Sequence, residues 1–280
     1  MGEIRNLNQL LYALKRGYTI QKGAETTAPY LYNLPEQKKE EQHFRISIAG
    51  RCIGIDSLYA EVYRLCSDYL CDNEPEIQIS ISDEDIAYER KVDADEKETF
   101  KNSYLETLSV YRKISEALLD YDTFLMHGAV IAQRQNAYMF TAKSGTGKTT
   151  HIEKWLQNLD DAYIVNGDKP LIIVAEKDAI ACGTPWCGKE NLATNCMVPL
   201  RAIIFMERGD KNIMQEISSV EAFPFFLQQT YQPDDGEKMK KTLKLISKMM
   251  ERVKFYRYIF DNMQEDAFDV SYSTLTGGML

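Results

Sequence analysis

Short stretches near the start of the chain alternate apolar and polar side chains, as a half-buried strand does. Residues 44–50 alternate in this way, and a Gly-Arg turn separates them from the apolar run 52–55, so the pattern predicts a hairpin. The run 77–81 predicts a further strand, and the helical spacing over 58–70 predicts a helix before it. Residues 82–99 are rich in acidic side chains, which predicts a surface connection.

A helical period with one apolar face then predicts a helix over 102–120. The apolar runs 129–132 and 137–140 predict a strand pair, and a helical stretch reaches about residue 156. A capping-box pattern at Ser218 and Glu221 predicts a helix start. Further strands are predicted at 162–165, 171–174, 180–182, 202–206 and 255–260, with a long helix over 239–253 between the last two.

These elements predict a mixed α/β (α+β) fold with a mixed sheet, because several hairpins occur among the helices. The helical period at 7–16 and the polar stretch after it predict an N-terminal helix and linker over 1–42. We expect an α+β portion over 43–120 and a larger domain over 121–275.

Charge and composition narrow the class of protein. The 280 residues include 33 basic and 42 acidic side chains, a net charge of −9, which argues against binding to nucleic acid or to an anionic membrane. No run approaches the apolar length of a membrane span. The six cysteines form no C-x-x-C pair and are expected to be reduced thiols of a cytoplasmic protein, rather than a zinc site or a redox pair.

The strongest chemical signal is the segment 142–149, which lies between a predicted strand and a predicted helix. It has the G-x4-G-K-[ST] spacing of a phosphate-binding loop, with Ala142 in place of the first glycine. Gly145 and Gly147 permit the backbone to turn consecutive N–H groups inward, and the dipole of the next helix also favours phosphate. The pattern therefore predicts a nucleotide-binding loop, the alternative being a turn that merely contains glycines.

Two side chains of this loop have specific roles in the prediction. Lys148 can reach the β- and γ-phosphates, and the Thr149 hydroxyl is a suitable ligand for Mg²⁺. ATP and Mg²⁺ are therefore the expected cofactors. The residues predicted to bind the nucleotide are Ser144, Gly145, Thr146, Gly147, Lys148, Thr149 and Thr150.

Two residues outside the loop are candidates for the chemistry. Asp168 follows a predicted strand, where a carboxylate can bind Mg²⁺ or accept a proton from an attacking hydroxyl; a surface-turn aspartate is the alternative. His127 precedes the strand pair and has a structural role as its alternative, and His151 is expected on the surface of its helix. Residues 183–189 either place Trp186 beside a ligand or form a packed corner.

These residues resemble a known enzyme family. The segment 144–150 resembles the kinase loop of ATP-dependent phosphoenolpyruvate carboxykinase. A His-Gly pair at 127–128, the loop, and a Gly-Asp pair at 167–168 follow the order found in HPr kinase/phosphorylase, which shares that fold. The resemblance covers roughly 125–210 and implies an HPr-kinase-like P-loop domain over 121–275.

The resemblance also implies roles for single residues. His127 would be a catalytic-site histidine, Lys148 the phosphate lysine, Thr149 the magnesium ligand, and Asp168 the proton acceptor. The chain departs from the pattern at Gly167, which replaces the first Asp of an acidic pair.

The predicted function is an ATP-dependent kinase that transfers the γ-phosphoryl group to a hydroxyl, with serine of a peptide or protein as the acceptor. The alternatives are a non-catalytic ATP-binding regulatory module and a carboxykinase-type enzyme. HPr kinases are hexamers, so the resemblance also suggests a homo-oligomer. The choice between ATP and GTP and the identity of the acceptor stay open.

Overall fold

The computed structural model describes the residues 38–92, 100–143, 145–261 and 263–277. The predicted helix at 7–16 and Ser144 of the loop lie outside these ranges. Among the described residues, one unit ends at Tyr121 and a second begins at Asp122.

The first unit contains the predicted hairpin and a third strand. Strands β1 (Gln42–Ile48) and β2 (Arg51–Ser57) are antiparallel, and β3 (Ile77–Ser80) runs parallel to β2. Ala49 and Gly50 connect the hairpin with φ angles of 50° and 71°, the left-handed backbone that a tight two-residue hairpin turn requires. The sequence therefore predicted the three strands and the hairpin correctly, whereas the turn lies at Ala49 and Gly50 instead of at the Gly-Arg pair.

The described part of the same unit contains three α-helices: α1 (Ala60–Leu65), α2 (Asp83–Val92) and α3 (Asn102–Leu118). The prediction of a surface connection was wrong for α2. The acidic run lies in the first turn of this helix, where the helix dipole favours negative charge. The Ser82 and Asp85 side chains also each accept a backbone N–H of the other, which caps the helix start.

The second unit contains a mixed sheet of nine strands within the described residues. Along the sheet the strands follow the order β4-β8-β9-β10-β6-β5-β7, while β12 pairs with β10 and β11 pairs with β12. The strands are β4 (Thr123–Leu125), β5 (Ala129–Gln133), β6 (Asn136–Thr141), β7 (Ala162–Asn166), β8 (Leu171–Val174), β9 (Ala179–Cys182), β10 (Met197–Arg208), β11 (Ile213–Ile217) and β12 (Lys254–Phe260). The helices are α4 (Lys148–Asn158), α5 (Ser219–Gln229), α6 (Gly236–Met249) and α7 (Ala267–Thr276).

The strand directions bring several chain segments to one edge of this sheet. β6 is parallel to β10 and β10 to β12, whereas β5 is antiparallel to both β6 and β7. The carboxyl ends of β6, β7 and β10 therefore lie at the same edge as the amino end of β5. In open α/β sheets, ligands bind at the carboxyl ends of strands. The predicted mixed sheet is confirmed, but β4, β11 and α7 were not predicted.

Helix α4 packs its apolar face on the sheet beneath the loop that precedes it. Trp155 is fully buried and contacts the rings of Phe140 and Tyr272. His151 is also fully buried, and its Nε2 lies 3.0 Å from the Ser271 hydroxyl. The expected surface position of His151 was wrong because α7, which the sequence pattern did not reveal, covers this face of α4. None of the helices in the described ranges combines the length and apolar character that a membrane span requires.

Candidate functional site

The predicted phosphate-binding segment is a loop between β6 and α4. β6 ends at Thr141 and α4 begins at Lys148, so the strand–loop–helix context predicted from the sequence is present. Gly145 and Gly147 have φ angles of 75° and 116°, which glycine adopts without strain. The Thr146 hydroxyl donates to the carbonyl of Lys143 at 2.7 Å and tightens the loop.

Lys148 is buried inside this loop. Its Nζ donates to the carbonyl oxygen of Ala142 at 2.9 Å and lies 3.5 Å from that of Lys143. Burial lowers the pKa of this ammonium, and the negative charge of Asp168 acts in the opposite direction. Of the next two residues, Thr149 is half-buried and Thr150 is exposed. The loop therefore holds a poorly hydrated cation, which gains interaction energy when anionic oxygen atoms replace neutral carbonyls.

Arg208, the last residue of β10, supports the loop from the neighbouring strand. Its Nε donates to the carbonyl of Thr146 at 2.9 Å and its Nη2 to the carbonyl of Gly145 at 2.7 Å. These bonds turn the carbonyls of Gly145 and Thr146 toward the guanidinium. Sequence reasoning missed Arg208, because only the parallel pairing of β10 with β6 places it there.

The two candidate residues outside the loop are in contact with each other. The Nε2 of His127 lies 3.3 Å from Oδ1 of Asp168, and both side chains are about one-third exposed, at 32% and 30%. Burial raises the pKa of the Asp168 carboxyl. The bond to His127 and the positive charges of Lys169 and Lys148 lower the pKa by more than burial raises it, so the pKa lies below its ordinary value. Asp168 is therefore ionised at neutral pH.

Backbone and side-chain bonds from four elements hold this pair. The Gly128 N–H donates to the Asp168 carbonyl at 2.7 Å, which joins the start of β5 to the end of β7. The Thr141 hydroxyl donates to the carbonyl of His127 at 2.7 Å. At the end of α5, the backbone carbonyl of Gln229 accepts the backbone N–H of His127 at 2.7 Å. The side-chain Oε1 of Gln229 lies 2.9 Å from Nδ1 of the His127 imidazole. Both imidazole nitrogens thus have an oxygen partner.

Asn166, at the end of β7, determines the backbone conformation of the Asp168 turn. Its Oδ1 accepts the N–H groups of Asp168 at 2.9 Å and Lys169 at 2.7 Å. Its Nδ2 donates to the carbonyl and the hydroxyl oxygen of Thr184, at 3.1 and 2.9 Å. The side chain is fully buried. Asn166 and Gln229 are site residues that the sequence analysis missed, although an asparagine two positions before the aspartate is the local signal of an Asx turn.

The sequence left two alternatives for residues 183–189, a packed corner or a loop that places Trp186 beside a ligand. The structure favours the packed corner. Trp186 is buried, with 6% of its surface exposed, and its carbonyl lies 3.5 Å from the Nδ2 of Asn166. Gly188 approaches the site closely: a Cβ placed there would lie 3.1 Å from Cβ of Asp168 and 3.6 Å from a carboxylate oxygen of Glu190.

The structure therefore brings together His127, Asp168, Lys148 and the described part of the loop at one sheet edge. Across the described ranges, no group of three or more His, Cys, Asp or Glu side chains forms a metal site. Mg²⁺ bound together with phosphates needs only one or two protein oxygen ligands, and Thr149 and Asp168 are of the required chemical type. These residues fit a metal ion that reaches the site with a nucleotide.

Comparisons with known proteins give a distant likeness to a solved structure. No protein-family model and no curated protein matches this sequence. Among solved structures, the chain is similar to the Hpr(Ser) kinase/phosphatase from Coxiella burnetii, with 7% sequence identity and a TM-score of 0.32. The match covers 55% of this chain and 93% of that chain. A TM-score this low supports no conclusion about activity, so the chemistry of this site is inferred from its own residues.

Proposed function

We propose that the chain is an ATP-dependent kinase that transfers the γ-phosphoryl group to a hydroxyl, with serine of a peptide or protein as the acceptor. The observation that carries the proposal is the contact between Asp168 and His127 at the sheet edge where the β6–α4 loop also lies. A phosphate-binding loop by itself indicates only binding. An ionised carboxylate beside it supplies a group that can accept the proton of an attacking hydroxyl.

The loop and the first turn of α4 would bind the triphosphate. The first N–H groups of a helix have no acceptor within the helix and point toward an anion at its end. Lys148 would exchange its carbonyl partners for phosphate oxygens, and burial makes that interaction stronger than it would be in water. Mg²⁺, held by Thr149 and Asp168, would supply further charge neutralisation when bound.

Asp168 would orient the acceptor hydroxyl and receive its proton. As the acceptor oxygen bonds to the γ-phosphorus and the bond to the β-phosphate oxygen breaks, the hydroxyl proton passes to a carboxylate oxygen of Asp168. A pKa below the ordinary value makes this carboxylate a weak base, but phosphoryl transfer through a loose transition state depends mainly on positioning and charge stabilisation. His127 keeps the carboxylate in place through Nε2.

Substitution of Asp168 tests this function most directly. Purified wild-type protein would be incubated with Mg²⁺ and γ-labelled ATP, together with a library of serine-containing peptides, and phosphopeptide formation would be measured. We expect Asp168→Asn to bind ATP but to lose transfer, and Lys148→Ala to lose both ATP binding and turnover. Asp161→Asn, which changes an exposed aspartate, is the matched control. Full transfer activity in Asp168→Asn would remove Asp168 from the mechanism.

A non-catalytic nucleotide-binding protein is the second candidate. It is favoured by one observation: the Asp168 carboxylate, which is the candidate proton acceptor, is already bonded to His127. This alternative predicts MgATP binding by calorimetry, no labelled product with any peptide, and ATP affinity that does not change in Asp168→Asn. Only the phosphopeptide measurement separates the two functions, because both predict that the wild-type protein and Asp168→Asn bind ATP.

A further inference from the structure

Two cysteines of the first unit have their sulfur atoms in contact. Cys52 lies on β2, and Cys71 follows the short helical turn Ser67–Tyr69. Their Sγ atoms are 3.2 Å apart, and both are free thiols. The sulfur–sulfur bond of a disulfide is about 2.05 Å long, so the two atoms need to approach by only about 1.2 Å to form one.

Backbone hydrogen bonds hold both cysteines in place, so the fold determines the position of the backbone that carries each thiol. Cys52 lies within the β1–β2 ladder opposite Ser47, and its carbonyl accepts the N–H of Glu76 at 2.8 Å. The Cys71 N–H donates to the carbonyl of Arg45 on β1 at 3.0 Å. Both thiols are therefore carried by backbone that the sheet holds in place.

The two thiols differ in their access to solvent. Cys52 is buried, and its thiol donates to the carbonyl of Asn73 at 3.1 Å. Burial, followed by the bond to Cys71, raises the pKa of Cys52 to about 11. Cys71 is only partly buried. A soluble oxidant therefore meets Cys71 first, because accessible thiols react first. The raised pKa of Cys52 makes it the slower thiol, and it can react next because its Sγ lies 3.2 Å from that of Cys71.

We propose that Cys52 and Cys71 are a redox-reactive thiol pair that small-molecule disulfides such as oxidised glutathione convert to an intramolecular disulfide. The Cys71 thiolate attacks one sulfur of oxidised glutathione, forms a mixed disulfide and releases one glutathione thiolate. The Cys52 thiolate then attacks the Cys71 sulfur and releases the second glutathione. Overall the two thiols lose two protons and two electrons, which the two released glutathione molecules carry.

The bond would connect β2 to the segment that leads toward β3. It closes a ring between residues 52 and 71 within one unit, and it involves none of the residues proposed for phosphoryl transfer. By restricting the unfolded chain, such a bond stabilises the fold that places the sulfurs together. The proposal is therefore independent of the kinase function.

Glutathione buffers of increasing oxidised fraction test the pair in the full chain under native conditions. After equilibration, free thiols would be alkylated in acid and the peptides analysed by mass spectrometry without reduction. We expect a cross-linked peptide that contains Cys52 and Cys71 and is two hydrogens lighter than the reduced pair. It should form before any other disulfide, and dithiothreitol should restore both thiols. A higher Tm of the oxidised protein would be an independent sign of closure.

Two variants make the result specific. Cys71→Ser should abolish the cross-linked peptide, whereas Cys196→Ser, which alters a partly buried cysteine of the second unit, should leave it unchanged. The wild-type measurement stands even if a variant fails to fold. Accumulation of Cys71 as a mixed disulfide with glutathione, without closure, would overturn the proposal. So would full alkylation of Cys71 in the most oxidising buffer.

Discussion

The side-chain oxygen of Asn166 accepts the backbone N–H of Asp168 at 2.9 Å, so a fully buried amide sets the direction of the candidate catalytic carboxylate. The same amide donates two bonds to Thr184, which connect the Asp168 turn to the packed corner at 183–189. Asn166 does not have to touch a substrate to affect transfer. It acts as a positioning residue, because it limits where the Asp168 carboxylate can lie.

We therefore expect Asn166→Ala to reduce kcat about 100-fold while the Kd for ATP changes little, since a displacement of about 1 Å can have an effect of that size. The pKa of the Asp168 carboxyl, followed by NMR, should return toward its ordinary value as the carboxylate leaves His127. Thr242→Val, which removes a buried hydroxyl hydrogen bond on α6 and none of the bonds around Asp168, is the control for a general loss of stability. Equal losses of kcat in the two variants would indicate a general loss of stability instead.

Substitution of Lys148 should separate stability from binding. Burial lowers the pKa of this ammonium, so the folded state holds the charge less favourably than the unfolded state does. In Lys148→Met we expect the free energy of unfolding without nucleotide to be unchanged or raised by about 1 kcal/mol, and ATP binding to be lost. Urea unfolding and calorimetry measure the two quantities. Lys177→Met, at an exposed lysine, should change neither, and a strongly destabilised Lys148→Met would contradict the prediction.

Arg208 should matter for nucleotide affinity through the loop that it supports. Its guanidinium bonds to the carbonyls of Gly145 and Thr146, and Arg208→Gln removes at least one of these bonds. We expect the Kd for ATP to rise about tenfold, which corresponds to about 1.4 kcal/mol. Arg201→Gln changes an exposed arginine on the same strand and is the control. Unchanged affinity in Arg208→Gln would mean that the loop keeps its conformation without this support.

Glu106 makes the stability of the first unit dependent on pH. This carboxyl on α3 accepts the N–H groups of Leu58 and Tyr59, and burial outweighs these bonds and raises its pKa from about 4.5 to about 7. Between these values the folded state binds more protons than the unfolded state. The contribution of the protonated Glu106 carboxyl to stability is therefore complete below about pH 4.5 and is lost as the pH rises through about 7.

The free energy of unfolding should therefore fall by at most about 3 kcal/mol as the pH rises from about 4.5 to about 7. Urea unfolding at pH 5 to 8 measures the slope, and Glu106→Gln should flatten it because the amide does not titrate. Glu74→Gln, at a side chain that is 87% exposed, should keep the wild-type slope. If Glu106→Gln kept the wild-type slope, a titratable group other than Glu106 would cause the dependence of stability on pH.

Local patterns predicted most of the elements around the site. The β5–β6 hairpin, the loop with Gly145 and Gly147, and the start of α4 are encoded in consecutive residues, where alternation, glycine and helical spacing are visible. The capping box at Ser218 and Glu221 was also predicted correctly. The acidic start of α2 was misread because charge alone does not distinguish a solvated connection from a helix N-terminus.

The partners of the candidate residues could not be predicted in the same way. Gln229 contacts His127 across 102 positions of sequence, and Arg208 reaches the loop carbonyl of Thr146 across 62. These contacts depend on β10 lying beside β6 and on β5 lying between β6 and β7. Strand order is decided by the packing of distant segments, and the sequence pattern of any one strand does not reveal its neighbours.

By itself, the sequence determined the local chemistry: a glycine-containing loop with Lys148 and Thr149 at the start of a helix, and an aspartate after a strand. The tertiary structure decided that His127 and Asp168 touch, that His151 is buried, and that Cys52 and Cys71 bring their sulfurs together. The physical reason is that backbone conformation is largely set by neighbouring residues, whereas proximity between distant residues follows only from how the whole chain buries its apolar surface.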